Sequence, residues 1–246
     1  MAKRGMGLLL VLLWMLVACA PRVSKTDSPL LQAVRQGDEA RVVALLEAGA
    51  RLDEPDARGR TPLHWAVLEG KPSIVRLLIE RGAPLEARDA RGRTPFLLAV
   101  LKGDLATARL LVEAGADPKV QDADGETALH YAARFGPPAL LRWLIDLGLS
   151  PDARDALGRT PLHVAVSEQN CATARLLLEA GADPNAPDAQ GRTPLHLAVG
   201  RESEPCIRLL LEYGADPKKP DQSGESPLDY AARYGYKKAF WLLIGK

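Results

Sequence analysis

The side chains most able to do chemistry are three thiols, Cys19, Cys171 and Cys206, and four imidazoles, His64, His130, His163 and His196. The histidines are separated by 33 residues or twice that. Each therefore occupies the same place in its own copy of a unit, too far from the next to share one ion. No histidine is left over outside this register. The sequence also shows no nucleophile–base pair, no Gly-rich phosphate loop and no paired carboxylates outside the same period. The expectation is a protein with no catalytic residues, no metal site and no cofactor. Lys plus Arg number 32 and Asp plus Glu 31, a net charge of +1, so no basic excess points to nucleic acid.

The elements that must position these groups start from composition. The 246 residues are 47% hydrophobic and 26% charged, ordinary for a folded chain of one or two domains. Aromatics at 5% suit a core of Leu, Val and Ala helices better than a sandwich of strands.

Residues 1–18 read as an address. Lys3 and Arg4 precede ten apolar residues from Leu8 to Val17, a run too short to span a bilayer, which takes about 20 residues, but laid out like a secretory signal. Leu16-Val17-Ala18-Cys19 then resembles the lipobox of bacterial lipoproteins. The resemblance implies cleavage before Cys19, diacylglycerol on its sulfur and acylation of the new amino terminus. Several acyl chains on one residue anchor stably where one would not. Ala20 after the cysteine favours the outer membrane in the enteric sorting pattern. Removing residues 1–18 takes two positive charges and leaves a net charge of −1. Residues 19–27 read as a lipidated tether.

The rest of the chain is periodic. Thr61-Pro62-Leu63-His64 returns as Thr94-Pro95-Phe96-Leu97, Thr127-Ala128-Leu129-His130, Thr160-Pro161-Leu162-His163, Thr193-Pro194-Leu195-His196 and Ser226-Pro227-Leu228-Asp229, each 33 residues on. One period back lies Ser28-Pro29-Leu30-Leu31. Gly49, Gly82, Gly115, Gly148, Gly181 and Gly214 keep the same step, as do Asp56, Asp89, Asp122, Asp155, Asp188 and Asp221. In one copy, Thr61 can cap a helix and Pro62 suits its first turn. Gly70 breaks that helix, and Gly82 ends a second one that carries Ile74, Val75 and Leu78. A single pair has too little apolar surface to fold alone, so copies must stack.

This pattern resembles the ankyrin repeat. The resemblance covers residues 28–246 and implies an all-α solenoid of about seven helical hairpins with short projecting loops. It implies that each motif imidazole hydrogen-bonds within and between repeats alongside its threonine. Gln169 and Glu202 stand where the other copies have glycine between their helices, so those two turns are expected to differ in shape, with Pro205 restarting the following helix. Cys171 and Cys206 fall in the second helices of adjacent copies. With helix axes 8–10 Å apart and a disulfide needing Cα atoms within about 7 Å, they are expected to be two small buried side chains.

The resemblance also implies binding through loop tips and the exposed face of the first helices. On this sequence the tips carry Arg58, Arg60, Arg88, Arg91, Arg93, Arg154, Arg159 and Arg192. The inner face offers Leu68, Leu101, Lys102, Arg134, Phe135, Arg201 and Tyr234. Arginine and aromatic side chains dominate many interfaces. The expected partner is another protein with an acidic surface, and the expected chain is a monomer held to a membrane by lipid and facing the periplasm. Two roles fit: an immunity-type inhibitor of a membrane-active effector, and an envelope scaffold or chaperone-like protein. A cytoplasmic ankyrin adaptor is the remaining alternative.

Overall fold

The computed structural model describes residues 27–245; the signal segment, Cys19 and most of the tether lie outside them. Among the described residues fourteen helices follow one another in seven antiparallel pairs: α1 (Pro29–Gln36) with α2 (Glu39–Glu47), α3 (Pro62–Leu68) with α4 (Pro72–Glu80), α5 (Pro95–Leu101) with α6 (Leu105–Glu113), and α7 (Ala128–Phe135) with α8 (Pro138–Asp146). Then come α9 (Pro161–Ser167) with α10 (Cys171–Glu179), α11 (Pro194–Gly200) with α12 (Glu204–Glu212), and α13 (Pro227–Tyr234) with α14 (Lys237–Leu243). Each odd-numbered helix packs on the odd-numbered helices before and after it, and the even-numbered helices form a second layer. This is the stack the period predicts.

Local sequence explains each start. Ser28, Thr94 and Thr160 sit in extended backbone at the N-cap and accept a hydrogen bond from the N–H three residues on. Proline in the first turn of six of the seven inner helices loses no hydrogen bond there. The core is a column with one side chain per repeat. Leu30, Leu63, Phe96, Leu129, Leu162 and Leu195 are all essentially inaccessible. Leu228, in the last repeat, is only half buried.

Between the pairs the chain makes a projecting loop, and the loops are laced together. The N–H groups of Ala90, Ala123, Ala156, Ala189 and Gln222 each donate to a carbonyl of the preceding loop at 2.8–3.0 Å. The glycine at each tip makes this close approach feasible. Gly92 has φ +73°, and a Cβ there would lie 2.6 Å from the Ala123 nitrogen. Gly115, after α6, has φ +104° but open space around it. Gly92→Ala is therefore expected to destabilise by about 3 kcal/mol, strain plus backbone clash, and Gly115→Ala by about 1 kcal/mol, strain alone. Denaturant unfolding of the two variants checks the difference; equal losses would contradict it.

The turns at Gln169 and Glu202 are not reshaped, contrary to expectation. Both residues adopt the left-handed conformation, φ 56° and 50°, that Gly37, Gly70, Gly103 and Gly235 have at the same place; the turn that differs is the fourth repeat's, where Gly136 is extended at φ −77°. The packing of the flanking helices dictates the turn, and the side chain bears the strain. Pro205 lies in the first turn of α12 as anticipated.

Candidate functional site

The four histidines act as struts. In each, Nδ1 accepts the backbone N–H of the motif threonine at 2.9–3.2 Å, with the threonine Oγ1 at 2.8–2.9 Å. That leaves Nε2–H to donate across to the next repeat, 29 residues on: His64 to the Arg93 carbonyl, His130 to Arg159, His163 to Arg192 and His196 to Glu225, at 2.9–3.0 Å. This network assigns the tautomer. Burial pushes all four imidazoles below the usual histidine range, outweighing the carbonyls that favour the charged form, and His163 falls to about 4. Leu97 and Asp229 stand in the strut position of the third and last repeats. Among the described residues no cluster of His, Cys, Asp and Glu is arranged to hold a metal.

The periodic aspartates organise the loop tips. Asp89 Oδ1 accepts the N–H groups of Arg91 and Arg93, while Oδ2 accepts the Arg93 guanidinium at 2.7 and 2.9 Å. The same pairing joins Arg60 to Asp56, Arg159 to Asp155 and Arg192 to Asp188 at 2.7–2.9 Å. Burial opposes ionisation of Asp56 and Asp89, but these donors outweigh it and hold both carboxyls below their usual range. Removing one partner of such a pair leaves the other charge desolvated. Substituting Arg93 would therefore disturb the fold as well as any interface.

Several other members of the anticipated binding set are occupied in the same way. Arg88 donates to the Gln121 carbonyl at 2.6 Å, Arg154 donates to the Pro187 carbonyl, and Lys102 reaches the carbonyls of Val67 and Leu68. Arg134 pairs with Glu126. Leu68 and Leu101 are half buried against the core. Arg58, Arg91, Arg201, Phe135 and Tyr234 remain exposed. Phe135 and Tyr234, 63% and 57% exposed, are the two most exposed large apolar residues among those described.

A second register was not read from the sequence. The residue before each motif Thr or Ser runs Asp27, Arg60, Arg93, Glu126, Arg159, Arg192, Glu225, and eight positions later come Arg35, Leu68, Leu101, Arg134, Ser167, Gly200 and Arg233. Where the first position is acidic, the second is Arg and the two pair: Asp27 with Arg35, Glu126 with Arg134 and Glu225 with Arg233. Aligning the copies would have exposed this charge swap.

The cysteines correct the expectation of two free thiols. Cys171 and Cys206 are joined in a disulfide, with Cα atoms 5.2 Å apart. The mean axial separation of stacked helices misleads here. Cys171 is the first residue of α10 and Cys206 lies in the first turn of α12, where the two helix starts come closer than their axes do on average.

Pairs of antiparallel helices in two layers, strutted by a buried Thr–His motif and edged by stacked loops, define an α-solenoid. The family model for ankyrin repeats matches residues 2–89, 30–122, 96–188 and 183–246, and the chain belongs to the ankyrin-repeat family. Among solved structures it is similar to the ankyrin repeat domain of Bcl-3, a member of the IkappaB protein family, with 34% identity over 89% of this chain and 99% of that one and a TM-score of 0.78. It is also similar to the human ASB11 ankyrin repeat domain, with 29% identity, the same coverage and a TM-score of 0.78. No curated protein matches the chain. The fold defines a protein–protein interaction module.

Proposed function

We propose that this chain is a lipid-anchored binding protein of a bacterial envelope, facing the periplasm and acting by occluding an acidic surface on a partner protein. An immunity-type inhibitor of a membrane-active effector is the role it fits best: a stacked-helix interaction surface, and a tether that would raise its local concentration at the membrane. The observation that carries the compartment is the Cys171–Cys206 disulfide. Disulfides persist in oxidising compartments and are rare in the cytosol, so this bond supports export independently of the Leu16–Cys19 motif.

Metabolic labelling with a fatty-acid analogue tests the anchor. Label is expected on the wild type and absent from Cys19→Ala; no label on the wild type, or equal label on both, defeats it. Detergent-extract pull-down through the anchored chain then separates the roles. One stoichiometric enzyme supports the inhibitor, and a set of resident envelope proteins supports a scaffold.

A further inference from the structure

Among the described residues the inner face carries a hollow, and the register above explains why it opens where it does. In the second repeat Trp65 and Leu68 fill this place, with the Arg35 and Arg60 guanidinium groups 4.3 and 3.9 Å from the Trp65 ring centre. In the fourth, Tyr131 and Arg134 fill it, and in the seventh Tyr230 and Arg233. The fifth and sixth repeats have no aromatic at the first position, Val164 and Leu197, and only Ser167 and Gly200 at the second, where the third repeat has Leu98 with Leu101. The result is a hollow of about 360 Å³ whose lining includes Ser167, Leu197, Gly200, Arg159, Arg192 and Arg201. Its lining holds three arginines and no carboxylate.

Those arginines retain unused donors. Arg159 and Arg192 bind their aspartates through Nε and Nη2, and Nη2 also lies 3.6 Å from Glu126 in Arg159 and donates to the Gln190 amide oxygen in Arg192; Nη1 of each has no acceptor among the described residues. Arg201 is exposed, and its side chain has no ion pair or hydrogen bond among the described residues. Along the rim one residue per repeat sits in the same register: Phe135, Glu168, Arg201 and Tyr234. The outer two are the exposed aromatics, and Glu168 is the only acid among the four. Phe135 and Tyr234 are three repeats apart, roughly 24–30 Å at 8–10 Å per stacked helix. An extended chain rising about 3.3 Å per residue covers that span in at most about nine residues.

We propose that this hollow is the docking site for an extended acidic segment of a partner protein. One carboxylate enters between Arg159, Arg192 and Arg201, and apolar side chains at the two ends of the segment lie on Phe135 and Tyr234. Charge complementarity selects this occupant: the lining holds three arginines and no carboxylate, Arg201 has no ion pair among the described residues, and Arg159 and Arg192 each keep a donor beyond their own ion pairs. The inference rests on the reading of the chain as a protein-binding module and adds to it a place and a ligand chemistry.

The test uses the chain from Ala20, which contains every described element of the stack, and a fluorescein-labelled peptide of glutamates closed at both ends by phenylalanine. A glutamine counterpart is the control, and fluorescence anisotropy is the readout. Saturable binding of the glutamate peptide is expected, at least tenfold tighter than the glutamine peptide and weakening as salt rises. The decisive variant is Ser167→Leu with Gly200→Leu, which refills the hollow with the side chain that Leu68 and Leu101 already place in this register. A Cβ at Gly200 meets nothing within 4 Å, so the stack should tolerate it, and circular dichroism confirms that. This double variant and Arg201→Glu should each weaken binding at least tenfold. No saturable binding, equal affinity for the two peptides, or a folded double variant that binds undiminished overturns the proposal. Pull-down by the anchored chain that is indifferent to these variants would overturn this site while leaving the binding function standing.

Discussion

Reducing the Cys171–Cys206 bond is expected to destabilise the stack by about 4 kcal/mol, the chain-entropy figure for a closed loop of this length. The bond spans 35 residues and joins the outer helices of two neighbouring repeats, so in the unfolded chain it holds together what would otherwise separate. Its position matters as much as its size. The two residues forced into left-handed backbone, Gln169 and Glu202, precede Cys171 and Cys206 by two and four positions. Each costs on the order of 1 kcal/mol relative to glycine, so the strain of the solenoid is concentrated in the two repeats that the disulfide clamps. Urea unfolding with and without reductant, repeated on Cys171→Ser with Cys206→Ser, measures the effect. Hydrogen exchange should show the loss centred on α9–α12. A shift below about 1 kcal/mol, or one spread evenly over the seven repeats, would refute this account.

Most of the scaffold was readable because repetition multiplies weak signals. Thr, Pro, Leu, Gly and Asp each recur at one place in a 33-residue unit, and each has a local cause: a cap, a first turn, a core column, a left-handed helix end, a loop hub. The surface was harder to read, because the same residue type does two jobs. Arg60, Arg93, Arg159 and Arg192 looked like a basic rim, yet each guanidinium is fastened to its own buried aspartate four residues earlier. Arg58 and Arg91 keep only their backbone N–H groups on those aspartates. Residue type does not separate the two kinds of arginine; the spacing from the Asp, two residues or four, does. The hollow was missed for a different reason. It is made by what Val164, Ser167, Leu197 and Gly200 lack, and a deficit of volume shows only when the copies are laid over one another. The disulfide was missed because an average helix spacing was applied to two residues at helix starts.

Acid should unfold this protein earlier than its carboxylates alone would dictate, and His163 is the place to measure it. In the folded chain its imidazole is neutral, with Nδ1 accepting from Thr160 and Nε2 donating to the Arg192 carbonyl, and burial lowers it to about 4. In the unfolded chain an ordinary imidazole takes up a proton below about 6.5. The unfolded state therefore binds more protons between those values, so stability is complete above about pH 6.5 and lost as pH falls towards 4. A gap of about 2.5 pKa units corresponds to roughly 3 kcal/mol from this residue. His64, His130 and His196 shift in the same direction and add to it. The depressed carboxyls of Asp56 and Asp89 contribute only at lower pH, as the unfolded chain's carboxylates begin to protonate. The third repeat supplies the control, since Leu97 occupies the strut position and is completely buried. His163→Leu should therefore fold, forfeit the bond to repeat six, and flatten the pH dependence between 6.5 and 4 by about 3 kcal/mol. Urea unfolding of both chains at pH 7.5, 6, 5 and 4.5 decides it. A wild-type profile that stays level down to pH 4.5, or a variant that slopes as steeply as its parent, would mean that the buried imidazoles accept protons without losing their place between the repeats.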